Sequence, residues 1–129
     1  MNDCDPTADF IASVCQQVSA GKLAARTIQS WIATTAVTDT EFRLLWALLS
    51  ASDATAQPQT RLARVLACSP AQISGSCERL RQLGLATPVA SATDRRRQCW
   101  QLTVSGQRFL AEIIGRISAV AGSADREAA

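Results

Sequence analysis

The chain has 129 residues, 47% apolar and 19% charged, the composition of one globular domain whose core needs no disulfide or metal to hold it. It contains no histidine and no tyrosine, which excludes histidine triads, Cys–His dyads, His-containing zinc sites and tyrosine acid–base chemistry. The net charge of +2 hides an uneven distribution: residues 61–116 carry nine arginines against three acids, and residues 1–60 carry three basic against six acidic side chains.

After a polar start, residues 8–34 read as one long helix. Ile11, Val14, Val18, Gly21, Ala25, Ile28 and Ile32 recur at alternating spacings of three and four, and Phe10, Leu23 and Trp31 widen the stripe. So continuous a seam on so long a helix predicts a partner chain. A second helix opens at Thr38 with the capping box Thr38/Glu41 and runs to Ser50, its inner face Phe42, Leu45, Trp46, Leu48 and Leu49. A polar loop leads to a third helix over 58–66, with Leu62, Val65 and Leu66 inward. Ala67 and Cys68 make the turn. Ser69-Pro70-Ala71-Gln72 reads as a second capping box with proline at the first helical position. The helix it opens buries Ile73, Cys77, Leu80 and Leu83 and stops at Gly84.

The period then changes from helical to alternating. Leu85–Val89 and Arg97–Leu102 read as two short strands around the loop 90–96. Thr103 caps a last helix to about Ala121, with Phe109, Leu110, Ile113, Ile114, Ile117 and Val120 as its stripe. Residues 122–129 read as a frayed tail.

Helix, short helix, tight turn, amphipathic helix and two-stranded hairpin, in that order, make a winged helix-turn-helix: a mainly α fold with a small β-hairpin wing and flanking dimerisation helices. The segment Thr38–Leu110 resembles the DNA-binding core of the MarR family of bacterial transcriptional regulators. The residues that carry the resemblance are Ser69-Pro70-Ala71-Gln72-Ile73-Ser74, Arg79-Leu80, Gly84-Leu85, Asp94-Arg95-Arg96, and Leu102-Thr103 with Gly106. It implies a dimerisation helix over 1–35, a winged DNA-binding domain over 36–103, a second dimerisation helix over 104–122 and a flexible tail over 123–129. It also implies a homodimeric repressor on a pseudo-palindromic duplex.

In that arrangement the Ser69 helix enters the major groove. The N–H groups and positive dipole at its start favour a phosphate or a groove edge. Ala71, Gln72, Ser74 and Gly75 face the bases; Gln72 is suited to adenine and Ala71 to a thymine methyl. Arg79, further along, is placed as a phosphate anchor. In the wing the resemblance implies that Asp94 orients Arg96 towards the minor groove, with Arg95 and Arg97 adding phosphate charge. Ile11, Val14, Val18, Gly21, Ile28, Ile113 and Ile117 are the expected dimer interface. Many relatives carry a long polar residue where this chain has Gly75 and a basic residue where it has Pro88, so base readout is weakened here. A winged helix used for protein contact is the alternative reading.

No catalytic or metal-binding residue stands out and no cofactor is expected. The five cysteines, at 4, 15, 68, 77 and 99, form no Cys-x-x-Cys pair and no even framework. Some relatives sense peroxide through a cysteine in the first helix, where Cys15 lies. They hold the thiolate with tyrosines, which this chain lacks, and no histidine or nearby lysine replaces them. Cys15 is therefore expected to be a small buried or half-buried packing residue and Cys99 to be exposed, a redox-sensing regulator through Cys15 being a further alternative. Other relatives bind small aromatic or anionic effectors between the dimer helices and the winged domain, and Trp31, Trp46 and Trp100 are candidates for such a lining. Met1–Phe10 is acidic and lacks an apolar core, and no apolar run reaches membrane length. The expected setting is the cytoplasm, away from any membrane.

Overall fold

The computed structural model describes residues 5–51, 56–90 and 98–128, with side chains described as far as 122. Five helices and three strands follow in the order α1 (Pro6–Ile32), α2 (Asp39–Leu49), β1 (Gln57–Pro58), α3 (Gln59–Leu66), α4 (Pro70–Gln82), β2 (Ala86–Ala90), β3 (Gln98–Leu102) and α5 (Val104–Ala128). This is a mainly helical winged-helix fold.

Local chemistry sets the helix starts. Asp5 accepts the Thr7 N–H at 3.0 Å ahead of Pro6. At α2 the capping box closes in both directions: Glu41 N–H to Thr38 Oγ1 at 3.2 Å, and Thr38 N–H to Glu41 Oε1 at 3.0 Å. At α4 the Ser69 hydroxyl accepts the Gln72 N–H at 3.1 Å. Only that half of the second box forms, and the Gln72 side chain stays exposed.

Helices α3 and α4 end alike. In each, the residue after the last turn is left-handed: Ala67 at φ 54° and Gly84 at φ 77°. The following N–H bonds back five residues, Cys68 to Ala63 and Leu85 to Leu80. The first of these ends is the helix-turn-helix corner and the second leads into the wing. Glycine takes this conformation freely, whereas alanine does so at a cost of about 1 kcal/mol.

The sheet is antiparallel with strand order β1-β3-β2. Ala86 pairs with Leu102 and Ala90 with Gln98 across the wing, and Gln57-Pro58 adds a third strand on the other side of β3. Two residues are too few to show a period-two pattern, so the sequence reading has no such strand. Because β3 is central, Cys99 lies between Val89 and Pro58 and is buried instead of exposed.

The core gathers Phe42, Leu44, Leu45 and Leu48 of α2 with Leu62 and Leu66 of α3, Ile73, Cys77 and Leu80 of α4, Trp100, and Leu110 and Ile113 of α5. Several inward positions expected from the sequence lie outside it. Val65 is 61% exposed, with Ala63 turned inward in its place, and Leu83, Leu49, Trp46 and Val120 are also exposed. Leu83 sits at the helix end, where the chain leaves the α4 axis. The last helix continues to Ala128, so the frayed tail expected from residue 122 is helical backbone almost throughout.

One close approach locks α5 to the wing. The Thr103 hydroxyl donates to the Gly84 carbonyl at 2.6 Å and accepts the Gly106 N–H at 3.0 Å. Gly106 packs so tightly that any Cβ there would run into the Leu85 carbonyl.

Candidate nucleic-acid interface

Helix α4 divides cleanly. Ile73, Cys77 and Leu80 are fully buried. Ser69, Pro70, Ala71, Gln72, Ser74, Gly75 and Arg79 are all exposed on the opposite side. A Cβ added at Gly75 would meet nothing within 4 Å, so the middle of that face is bare backbone. The outward-facing set read from the sequence is therefore one contiguous strip, beginning at a helix N-terminus capped by Ser69, where Pro70 has no N–H and the Gln72 N–H is taken by the cap.

The charges on α4 are already partnered within the chain. Arg81 lies 3.6 Å from Glu78. Arg79 Nε lies 2.9 Å from Glu41 Oε2, and its Nη2 donates to the Ala36 carbonyl at 2.6 Å. Glu41 is buried, and periodicity alone casts it only as a cap. On α3, Arg61 and Arg64 are exposed. Arg43 of α2 donates to the Leu66 carbonyl at 2.9 Å and so satisfies the end of α3. Asp94, Arg95, Arg96 and Arg97 lie outside the described residues.

The expected dimer residues separate into two groups. Ile11, Val14, Val18 and Gly21 are exposed along α1, with no part of the described chain covering them. Ile28 and Ile117 pack partly against the core. Ile113 is 1% exposed and belongs to the chain's own core, so it is unavailable to a partner. It faces inward because the α5 stripe is wider than one contact surface.

A cavity of about 740 Å³ opens between the end of α1, α2, α3 and α5. Trp31, Phe42, Trp46, Val65 and Ile117 give it apolar walls, and Arg43 and Arg61 stand at it as cations. Trp31 meets Phe42 edge to face at 6.0 Å. Trp100 is elsewhere: it is buried and donates to Gln59 Oε1 at 3.0 Å. Arg43 lies on α2 and Arg61 and Val65 on α3, so only the tryptophans carried a signal in the sequence.

Among the described cysteines, Cys15 is exposed, Cys68 half-buried, and Cys77 and Cys99 buried. Burial, with a smaller contribution from the adjacent Glu78 carboxylate, pushes the Cys77 thiol up to about 12. That thiol stays protonated and inert. No described helix is long and apolar enough to cross a membrane.

Residues 37–97 match the MarR family. No curated protein sequence matches the chain. Among solved structures, the transcriptional regulator BldR from Sulfolobus solfataricus is 14% identical with a TM-score of 0.70, over 95% of this chain and 84% of that one. A mutant of MepR from S. aureus, bound to an oligodeoxyribonucleotide, is 16% identical at TM-score 0.72, over 89% and 82%. A mutant of MarR from E. coli is 19% identical at TM-score 0.65, over 87% and 76%. With the helix-turn-helix, wing and long flanking helices in place, the chain shares the fold of these regulators, and its winged-helix core is the part that matches the MarR family.

Proposed function

We propose that the chain is a cytoplasmic, homodimeric transcriptional repressor that binds a pseudo-palindromic DNA duplex through α4 and the wing. The observation that carries this reading is the uncovered strip from Ser69 to Gly75, set on a helix whose other side is fully buried. The MepR structure, solved with an oligodeoxyribonucleotide bound, supports the same use of the fold.

In the dimer the bare stripe of α1 packs against a second copy. Two α4 helices then enter successive major grooves about 34 Å apart. Gln72, whose side chain bonds to no described residue, reads adenine; Arg96, oriented by Asp94, follows the minor groove; Arg95 and Arg97 contact phosphate. The cavity beside Trp31 and Trp46 is the place for an effector: an apolar ring with an anionic group towards Arg43 and Arg61.

Selection of bound duplexes from a random pool, followed by anisotropy titrations at several salt concentrations, tests this. The expected result is an inverted-repeat motif and an affinity that falls steeply with salt. Arg96→Ala should flatten that slope by about one unit, and Gln72→Ala should change the preferred bases. No binding to any duplex at low salt would overturn the reading and leave the winged helix as a protein-contact module.

A further inference from the structure

Arg79 lies on the helix assigned to DNA with its side chain 49% exposed, yet its guanidinium is bonded within the chain on two sides. Nε is 2.9 Å from Glu41 Oε2, and Nη2 is 2.6 Å from the Ala36 carbonyl. The Glu41 side chain is 4% exposed, and its other oxygen accepts the Thr38 N–H at 3.0 Å. A single buried carboxylate therefore joins the first turn of α2 to α4, and the same guanidinium reaches the segment linking α1 to α2. Residues 43 positions apart in sequence meet in one charge-assisted cluster.

A guanidinium presents its donors in a rigid planar fork. Two of those directions, at Nε and Nη2, are fixed inward. A phosphate that took the Nε edge would leave the buried Glu41 carboxylate without its counter-charge, which is strongly unfavourable, and the Ala36 carbonyl without its donor, so only the outward N–H groups are open to one. With Arg81 beside Glu78, both arginines of α4 face carboxylates, so this helix adds little net charge towards a polyanion.

We infer that Arg79 is a positioning residue: it latches α4 to the α1–α2 junction through Glu41 and Ala36, and it is not a phosphate ligand. The inference rests on the DNA-binding reading and adds to it a route by which the α1–α2 junction sets the angle of α4. The Glu41 pair fixes α4 relative to the start of α2, and the Ala36 bond fixes it relative to the end of α1. Movement of α1 against α2 must therefore turn α4 or break the latch.

The test compares Arg79→Ala, Arg79→Lys and Glu41→Gln in anisotropy titrations against a mixed-sequence fluorescent duplex, over a series of salt concentrations. If Arg79 positions α4, both Arg79→Ala and Glu41→Gln weaken binding by roughly tenfold at unchanged salt slope. Arg79→Lys then fails to rescue, because lysine keeps the charge and loses the fork. A phosphate anchor gives the opposite set: the Arg79→Ala slope falls by about one, Lys restores affinity, and Glu41→Gln binds as well as wild type or tighter. That set would overturn the inference. A urea-unfolding double-mutant cycle on Arg79→Ala and Glu41→Gln needs no DNA. Non-additive effects are expected; additive ones would remove the latch. Wild-type protein that binds no duplex would instead overturn the DNA reading, with the latch still decided by the cycle.

Discussion

In α1, every residue from Pro6 to Ala24 is exposed, including Phe10 at 69% and Val18 at 55%. In the winged core, residues of the same types at the same helical spacings fall to a few per cent or to zero. Both regions are amphipathic helices, and in sequence they differ only in the unbroken length of the α1 stripe. The difference is what lies against each face: the core closes on itself across α2, α3, α4, β3 and α5, and the first turns of α1 extend past every described residue of the chain. A periodic stripe records that a face is to be covered, and only its length on α1 points to cover from a second chain.

Five measurements bear on this contrast, beginning with the largest effect. At pH 8, the Cys77 thiol should react with a thiol reagent about 10³ times faster in urea than in the native protein, because the thiolate fraction rises as its pKa returns from about 12 to the ordinary value. Comparable rates in both states would mean that the core is open. Leu45→Ala should lower unfolding stability by about 2–5 kcal/mol in urea titrations, since Leu45 is fully buried. Gly106→Ala should follow at about 1–3 kcal/mol, as the new methyl must push α5 away from the Leu85 carbonyl.

Val18→Asp should behave differently from both. Wild-type Tm should rise with protein concentration, as binding to a second copy requires. The variant should lose that dependence and elute at half the mass in light scattering, while unfolding at low concentration within about 0.5 kcal/mol of wild type. A loss as large as that of Leu45→Ala would show that the α1 face is covered by its own chain. The smallest effect is a gain: Ala67→Gly should stabilise the protein by up to about 1 kcal/mol by relieving the left-handed alanine at the corner.

What the sequence makes legible follows from how far apart the interacting residues lie. Caps act over three positions, so Thr38, Ser69 and Thr103 announce the starts of α2, α4 and α5. The split of α4 into buried Ile73, Cys77 and Leu80 and exposed Gln72, Ser74 and Gly75 follows from helical period alone. Contacts between elements leave no such trace. Glu41 and Arg79 each read as a local feature, a cap and an outward cation, and only the packing of α2 against α4 makes them a pair. Arg43 of α2 meets Arg61 and Val65 of α3 at the cavity for the same reason. Gln57-Pro58 becomes a strand only because β3 offers it an edge, and that edge in turn buries Cys99.

The contact at Gly106 has a mechanical consequence. Helix α5 is 25 residues long, about 37 Å at 1.5 Å per residue, and its first turn is pinned to the turn that follows α4. Leu110, Ile113 and Ile117 hold the next turns against the core, so the helix pivots about that packed half and its first turn bears on Leu85. On that geometry a tilt of about 5° about Ile113 carries the far end through about 2 Å and the first turn through about 1 Å in the opposite sense. Force applied to the far end therefore arrives at the base of the wing as torque, with the displacement reduced and the turning moment increased.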